Sequence, residues 1–98
     1  MFIVIWEFYA KRGREIEFEQ AYGPSGLWAR FFSRSREYQG TYLLSDTTGR
    51  YLTLDHWTSR EAYEAFCKEN AGEYETIDHE CEALTEQETQ VGSFQTVQ

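Results

Sequence analysis

The chain has 98 residues and a formal net charge of −8; 41% of its residues are hydrophobic and 17% aromatic. That length suits one domain, residues 1–98. An acidic surface repels phosphate backbones and anionic headgroups, which excludes nucleic acid and the membrane surface as expected partners, and no apolar run approaches the ~20 residues of a membrane span.

Residues 2–9 have the β-branched and aromatic content of a strand. This apolar start has no basic n-region and no small-residue cleavage site, and it runs straight into Glu7, so a strand is expected and not a signal peptide. Residues 15–22 have helical spacing, with Ile16, Phe18 or Glu19, and Tyr22 as candidates for one face. Gly23-Pro24 breaks that helix, since proline withholds a hydrogen bond and restricts its predecessor. Ser25 is the expected cap of a new segment in which Leu27, Trp28, Phe31 and Phe32 form a broad apolar face.

Residues 38–45 and 51–57 are the next predicted strands, joined by the hairpin chemistry of Asp46-Thr47-Thr48-Gly49. Thr58 or Ser59 then caps a long helix, and Glu61 stands at capping-box spacing from Thr58. Ala62, Tyr63, Phe66 and Cys67 mark its inner stripe. Gly72 is the expected kink, after which Tyr74, Ile77, Cys81 and Leu84 continue the stripe. Residues 89–97 form a final, more polar strand.

The order is therefore β-α-β-β-α-β, an α+β, ferredoxin-like arrangement: a four-stranded antiparallel sheet with helices on one face. Alternation in the first strand points Phe2, Val4, Trp6 and Phe8 one way and Ile3, Ile5 and Tyr9 the other, with Glu7 the only charge. In the third strand Leu52 and Leu54 oppose Tyr51 and Trp57. A sheet with one face in water would alternate apolar with polar, and this one does not. The second apolar face calls for a partner, and another copy of the chain, packed sheet on sheet, is the simplest.

Residues for familiar chemistry are few. His56 and His79 lie in no metal-binding spacing, and Asp78-His79-Glu80 are helix neighbours that point in different directions. Cys67 and Cys81 suggest neither a zinc knuckle nor a CxxC motif, and reduced thiols fit a cytoplasmic protein. No phosphate-binding loop or nucleophile elbow is present. What remains is aromatic: Trp6, Trp28, Phe31, Phe32, Trp57, Tyr63 and Phe66 occupy positions that can face one another. They make either a pocket for a flat apolar ligand or a solid aromatic core, and periodicity does not decide between the two.

Four segments carry a family resemblance: Trp6-Glu7-Phe8, Gly13 before a helix with Phe18-Glu19, Gly40-Thr41, and Asp55-His56-Trp57-Thr58-Ser59-Arg60-Glu61-Ala62-Tyr63 with its W-x-S-x-x-A-[FY] turn. Together they resemble an antibiotic biosynthesis monooxygenase domain of the dimeric α/β barrel superfamily. The resemblance implies a homodimer joined through the sheets and a cavity between sheet and helices. It also implies oxidation of a small aromatic or quinol-like metabolite by dioxygen, with no metal or other cofactor. Related members bind or degrade haem and others are non-catalytic ligand binders, so both remain alternatives. By this similarity Trp57 and Tyr63 would line the cavity as catalytic residues. Asp55, which shares a strand face with Trp57, would be a base or an orienting group, and the aromatic positions Trp6, Trp28, Phe31, Phe32 and Phe66 would surround the substrate. Trp6, Asp55 and Trp57 would face the helices, while Ile3, Ile5, Leu52, Leu54 and His56 would face the other subunit.

Overall fold

In the computed structural model, which describes all 98 residues, strand β1 (Phe2–Ala10) is followed by helices α1 (Glu15–Tyr22) and α2 (Leu27–Phe32). Strands β2 (Tyr38–Ser45) and β3 (Arg50–Trp57) come next. Helices α3 (Arg60–Glu69) and α4 (Ala71–Cys81) then lead through a short 3-10 turn (Glu82–Leu84) into β4 (Thr85–Gln95). The sheet order is β2-β3-β1-β4, antiparallel throughout, so the expected ferredoxin-like α+β fold is the one observed. No helix is long and apolar enough to cross a membrane.

The period-2 pattern sorts the sheet as the sequence indicates. Phe2, Val4, Phe8, Tyr51 and Trp57 are buried beneath the helices, against Phe18, Tyr22, Phe31, Phe32 and Phe66. On the other face the register aligns Phe94, Ile3 and His56 in one row, Ile5, Leu54 and Tyr42 in a second, and Glu7, Leu52 and Leu44 in a third. Tyr42, Leu44 and Phe94 are exposed there. Glu7, the one acid of that face, pairs with Arg50 at 2.6 Å.

Local chemistry corrects several expected boundaries. Ser25 does not cap α2: the capping residue is Gly26, and no side chain bonds to that helix end. A Cβ at Gly26 would lie 2.4 Å from the Gln20 carbonyl oxygen, so α1 and α2 approach more closely than any other residue allows. Ile16 is 74% exposed, and Phe18, Ala21 and Tyr22 form the buried face of α1. The cap of α3 is Ser59, whose Oγ accepts from the Ala62 N–H at 3.1 Å. Thr58 hydrogen-bonds Glu37 instead. The long helix is interrupted at Asn70 and not at Gly72, which lies inside α4. The Asn70 side chain donates to the Phe66 carbonyl at 2.9 Å, an alternative partner that closes α3. Finally, β4 begins at Thr85 and not Thr89, because a charged, low-propensity start is overridden by pairing with β1.

Candidate functional site

A cavity opens where the inner face of the sheet diverges from the helices. Trp6 and Phe8 of β1 and Thr53 and Asp55 of β3 form its floor. Tyr22 of α1, Trp28 and Phe32 of α2, Tyr63 of α3 and Tyr74 of α4 form its walls, and Asp78 of α4 and Glu88 of β4 complete it. Water-sized bodies have about 40 Å³ for their centres inside, and about 470 Å³ is unfilled when the mouth is counted. The enclosed part has room for a few waters, and an aromatic ring would have to lie largely in the open mouth.

Asp55 is the carboxyl that this setting moves toward neutral pH. It is 9% exposed, and Thr41 Oγ1 donates to its Oδ1 at 2.6 Å. Tyr38 hydrogen-bonds Thr41 in turn, so the tyrosine hydroxyl donates into a relay that ends on the carboxylate. No protein donor bonds Oδ2. Loss of hydration raises the Asp55 carboxyl from 3.8 to about 6, against the opposing effects of the Thr41 hydrogen bond and the His56 charge. No arginine pairs with it. A buried carboxylate poised near neutral pH, with one oxygen free and facing an aromatic cavity, suits a general base.

The phenols around it are held protonated. Burial pushes Tyr22, Tyr63 and Tyr74 far above the ordinary tyrosine range. Each is therefore a hydrogen-bond donor and no source of charge. Trp28 packs edge-on against Tyr74 at 5.0 Å, and Trp6 stacks beside Phe8 at 6.2 Å.

Of the aromatic residues singled out from sequence, Trp6, Trp28, Phe32 and Tyr63 line this cavity, together with Asp55. Trp57, Phe31 and Phe66 do not. Trp57 is fully buried one layer behind, with Phe32, Tyr38, Tyr63 and Phe66 each within 5.5 Å of it, centroid to centroid. The two readings of the aromatic set are thus both realised: part is solid core and part is cavity wall. Sequence reasoning passed over Tyr22, Thr53, Tyr74, Asp78 and Glu88 as lining. Thr53 was accessible by alternation with Asp55. Glu88 was not, because its place opposite Phe8 depends on the early start of β4. His56 lies on the other sheet face, its ring edge-on to Tyr42 at 5.0 Å, and His79 is 84% exposed beside Glu82.

No family model and no curated protein matches the sequence. Solved structures do match the fold. A single-residue variant of SnoaB, a cofactor-independent oxygenase from Streptomyces nogalater, superposes with a TM-score of 0.78 at 20% identity, over 99% of this chain and 93% of that one. An antibiotic biosynthesis monooxygenase superposes at 0.64 and 18% identity over the whole of both chains. A variant of MhuD with two manganese protoporphyrin IX molecules bound per active site superposes at 0.73 and 22% identity, over 100% of this chain and 96% of that one. The chain therefore has the antibiotic biosynthesis monooxygenase-like fold, shared by oxygenases and by a porphyrin-binding protein.

Proposed function

We propose that this chain is a cofactor-independent monooxygenase of small hydroxyaromatic compounds, working as a homodimer through the open sheet face. The observation that carries this reading is Asp55, a desolvated carboxylate with a free oxygen on the floor of an aromatic cavity. The fold shared with a cofactor-independent oxygenase supports it. In this reading Asp55 Oδ2 takes the phenolic proton, and the electron-rich ring passes an electron to dioxygen. One oxygen atom becomes a ring carbonyl; the other leaves as water with the phenolic and ring hydrogens. The protein holds the ring, keeps water out and returns a proton. Trp6 and Trp28 shape the ring site, and Tyr63 donates to a substrate oxygen. Trp57 supports the wall through Phe32 and Tyr63 and does not touch substrate.

A haem-binding role is the second reading, favoured by the fold shared with the porphyrin-binding MhuD variant. The residues here fit haem poorly. No histidine lines the cavity, and its tyrosines are held as neutral phenols. Burial likewise pushes the Cys67 and Cys81 thiols up, away from the thiolate that would ligate iron. The only charges in the lining are carboxylates, which repel haem propionates.

Dioxygen uptake with phenol and with ortho-cresol, single-ring phenols whose para C–H is free to become a carbonyl, followed alongside quinone absorbance, tests the proposal. Uptake that is lost in Asp55→Asn and reduced in Tyr63→Phe is the expected result. Folded protein that consumes no dioxygen with either compound, but shifts the Soret band of haemin at micromolar concentration, would favour the second reading and overturn the first.

A further inference from the structure

The charges lining the cavity are all of one sign. Asp55, Asp78 and Glu88 are carboxylates, and none of the chain's nine Lys and Arg residues reaches the lining. Three of those nine are engaged elsewhere. Arg34 pairs with Glu73 at 2.7 Å, Arg60 sits over the Phe2 ring at 4.9 Å, and Arg50 pairs with Glu7 on the far sheet face.

The three acids occupy two different depths. Asp55 is almost fully buried, whereas Asp78 is half-buried and Glu88 exposed. Glu88 lies opposite Phe8, and Asp55 opposite Val4, on the two strands flanking β1. From strand spacing and rise, their Cα atoms are roughly 16 Å apart. The cavity is thus elongated, with an acid at the closed end, another pair at the mouth and aromatic faces between. Loss of hydration, and then the charges of Asp78 and Glu82, hold the Glu88 carboxyl above its ordinary range, so like charges at the mouth are left uncompensated. Aromatic faces with no counter-cation attract an organic cation, most strongly where water is excluded.

We propose that the cavity takes a single-ring phenol bearing a protonated amine, its hydroxyl at Asp55 and its ammonium between Asp78 and Glu88. This rests on the cavity being the substrate site, but not on catalysis occurring there. The narrow interior sets the one-ring limit, and the one-signed lining sets the charge. An anion of the same shape would meet three carboxylates and no donor of opposite charge.

Tryptophan fluorescence titration with tyramine, para-ethylphenol and para-hydroxyphenylacetate separates the charge classes on nearly one shape. Tyramine should bind about tenfold more tightly than the neutral phenol, and the anion more weakly still. The Asp78→Asn/Glu88→Gln double variant should bring the cation and the neutral compound to within about twofold of one another. Equal affinity for all three, tighter binding of the anion, no binding of any, or a cation preference that survives the double variant would each overturn the proposal. Dioxygen uptake measured on the same samples reports on catalysis separately. Cation-selective binding without uptake leaves this inference standing and sinks the oxygenase; uptake with a neutral or anionic preference does the reverse.

Discussion

Thr41 donates the only hydrogen bond that the protein offers to the Asp55 carboxylate, a single 2.6 Å contact from the neighbouring strand. One neutral donor does not offset the loss of hydration around a group 9% exposed. The carboxyl is consequently raised to about 6, because no lysine or arginine stands close enough to pull it down.

A defined pH dependence follows. The native state holds the Asp55 proton up to about 6, whereas the unfolded chain releases it near 3.8. The stability contributed by this group is therefore complete below the unfolded value and disappears as pH rises through the native one. The loss is on the order of 3 kcal/mol. Urea unfolding of the native chain and of Asp55→Asn, compared from about pH 4 to about pH 7, should show the variant gaining relative stability with pH. A constant difference across that window would show that Asp55 titrates normally. Under the proposed chemistry, kcat/KM rises through the same pH region as the base ionises.

The junction between β3 and α3 offers a test of which residue starts the helix. Ser59 Oγ accepts from the Ala62 N–H, while the Thr58 hydroxyl is turned to Glu37. Ser59→Ala should cost about 1 kcal/mol, the usual loss of an N-cap. Thr58→Ala removes only an exposed side-chain contact and should cost less than half as much. Chemical denaturation of the two variants reads the difference, and the reverse order would restore Thr58 as the cap.

The open sheet face makes a prediction about assembly. Leu54 is central there, flanked by Ile5 and Tyr42 in the same row. If two copies meet through this face, the native chain has twice the 11.6 kDa monomer mass. Leu54→Asp should then return it to the monomer mass, because a carboxylate buried between two sheets loses its hydration while Arg50, the arginine of that face, is already paired with Glu7. Light scattering distinguishes these states. A native monomer at micromolar concentration would require a different explanation for the rows of apolar side chains.

The strands and the assignment of their faces were legible because period-2 alternation survives any detail of packing: Phe2, Val4 and Phe8 fall inside wherever the strand ends. Helix breaks were less legible. Gly72 is the weaker helix former, but Asn70 carries a side-chain donor that bonds the Phe66 carbonyl, and this specific bond outweighed general propensity. The candidate site was legible only in part. Trp6 and Asp55 follow from strand alternation, and Tyr63 entered through the family resemblance. The division of the remaining rings between wall and core was not, because it depends on how far α2 and α3 stand from the sheet. Glu88 was invisible for a different reason, since its position depends on the pairing of β1 with β4 and not on its neighbours in sequence.

That division between wall and core can be measured. Trp57 is completely buried, and four aromatic rings surround it within 5.5 Å. Trp57→Ala would leave a large void among rings that have little freedom to collapse, at a cost of about 3–5 kcal/mol. Trp6 is only half-buried and borders space that is already open, so Trp6→Ala loses less packing and should cost under about 2 kcal/mol. The effects on ligand should run the opposite way. At a temperature where both variants remain folded, Trp6→Ala should weaken binding of a phenol at least about fivefold through the lost ring contact. Trp57→Phe, which keeps an aromatic filling behind Phe32 and Tyr63, should change it by less than about twofold. Calorimetric unfolding gives the first comparison and fluorescence titration the second. If Trp57→Phe abolished binding while Trp6→Ala did not, Trp57 would belong to the site and not to its support.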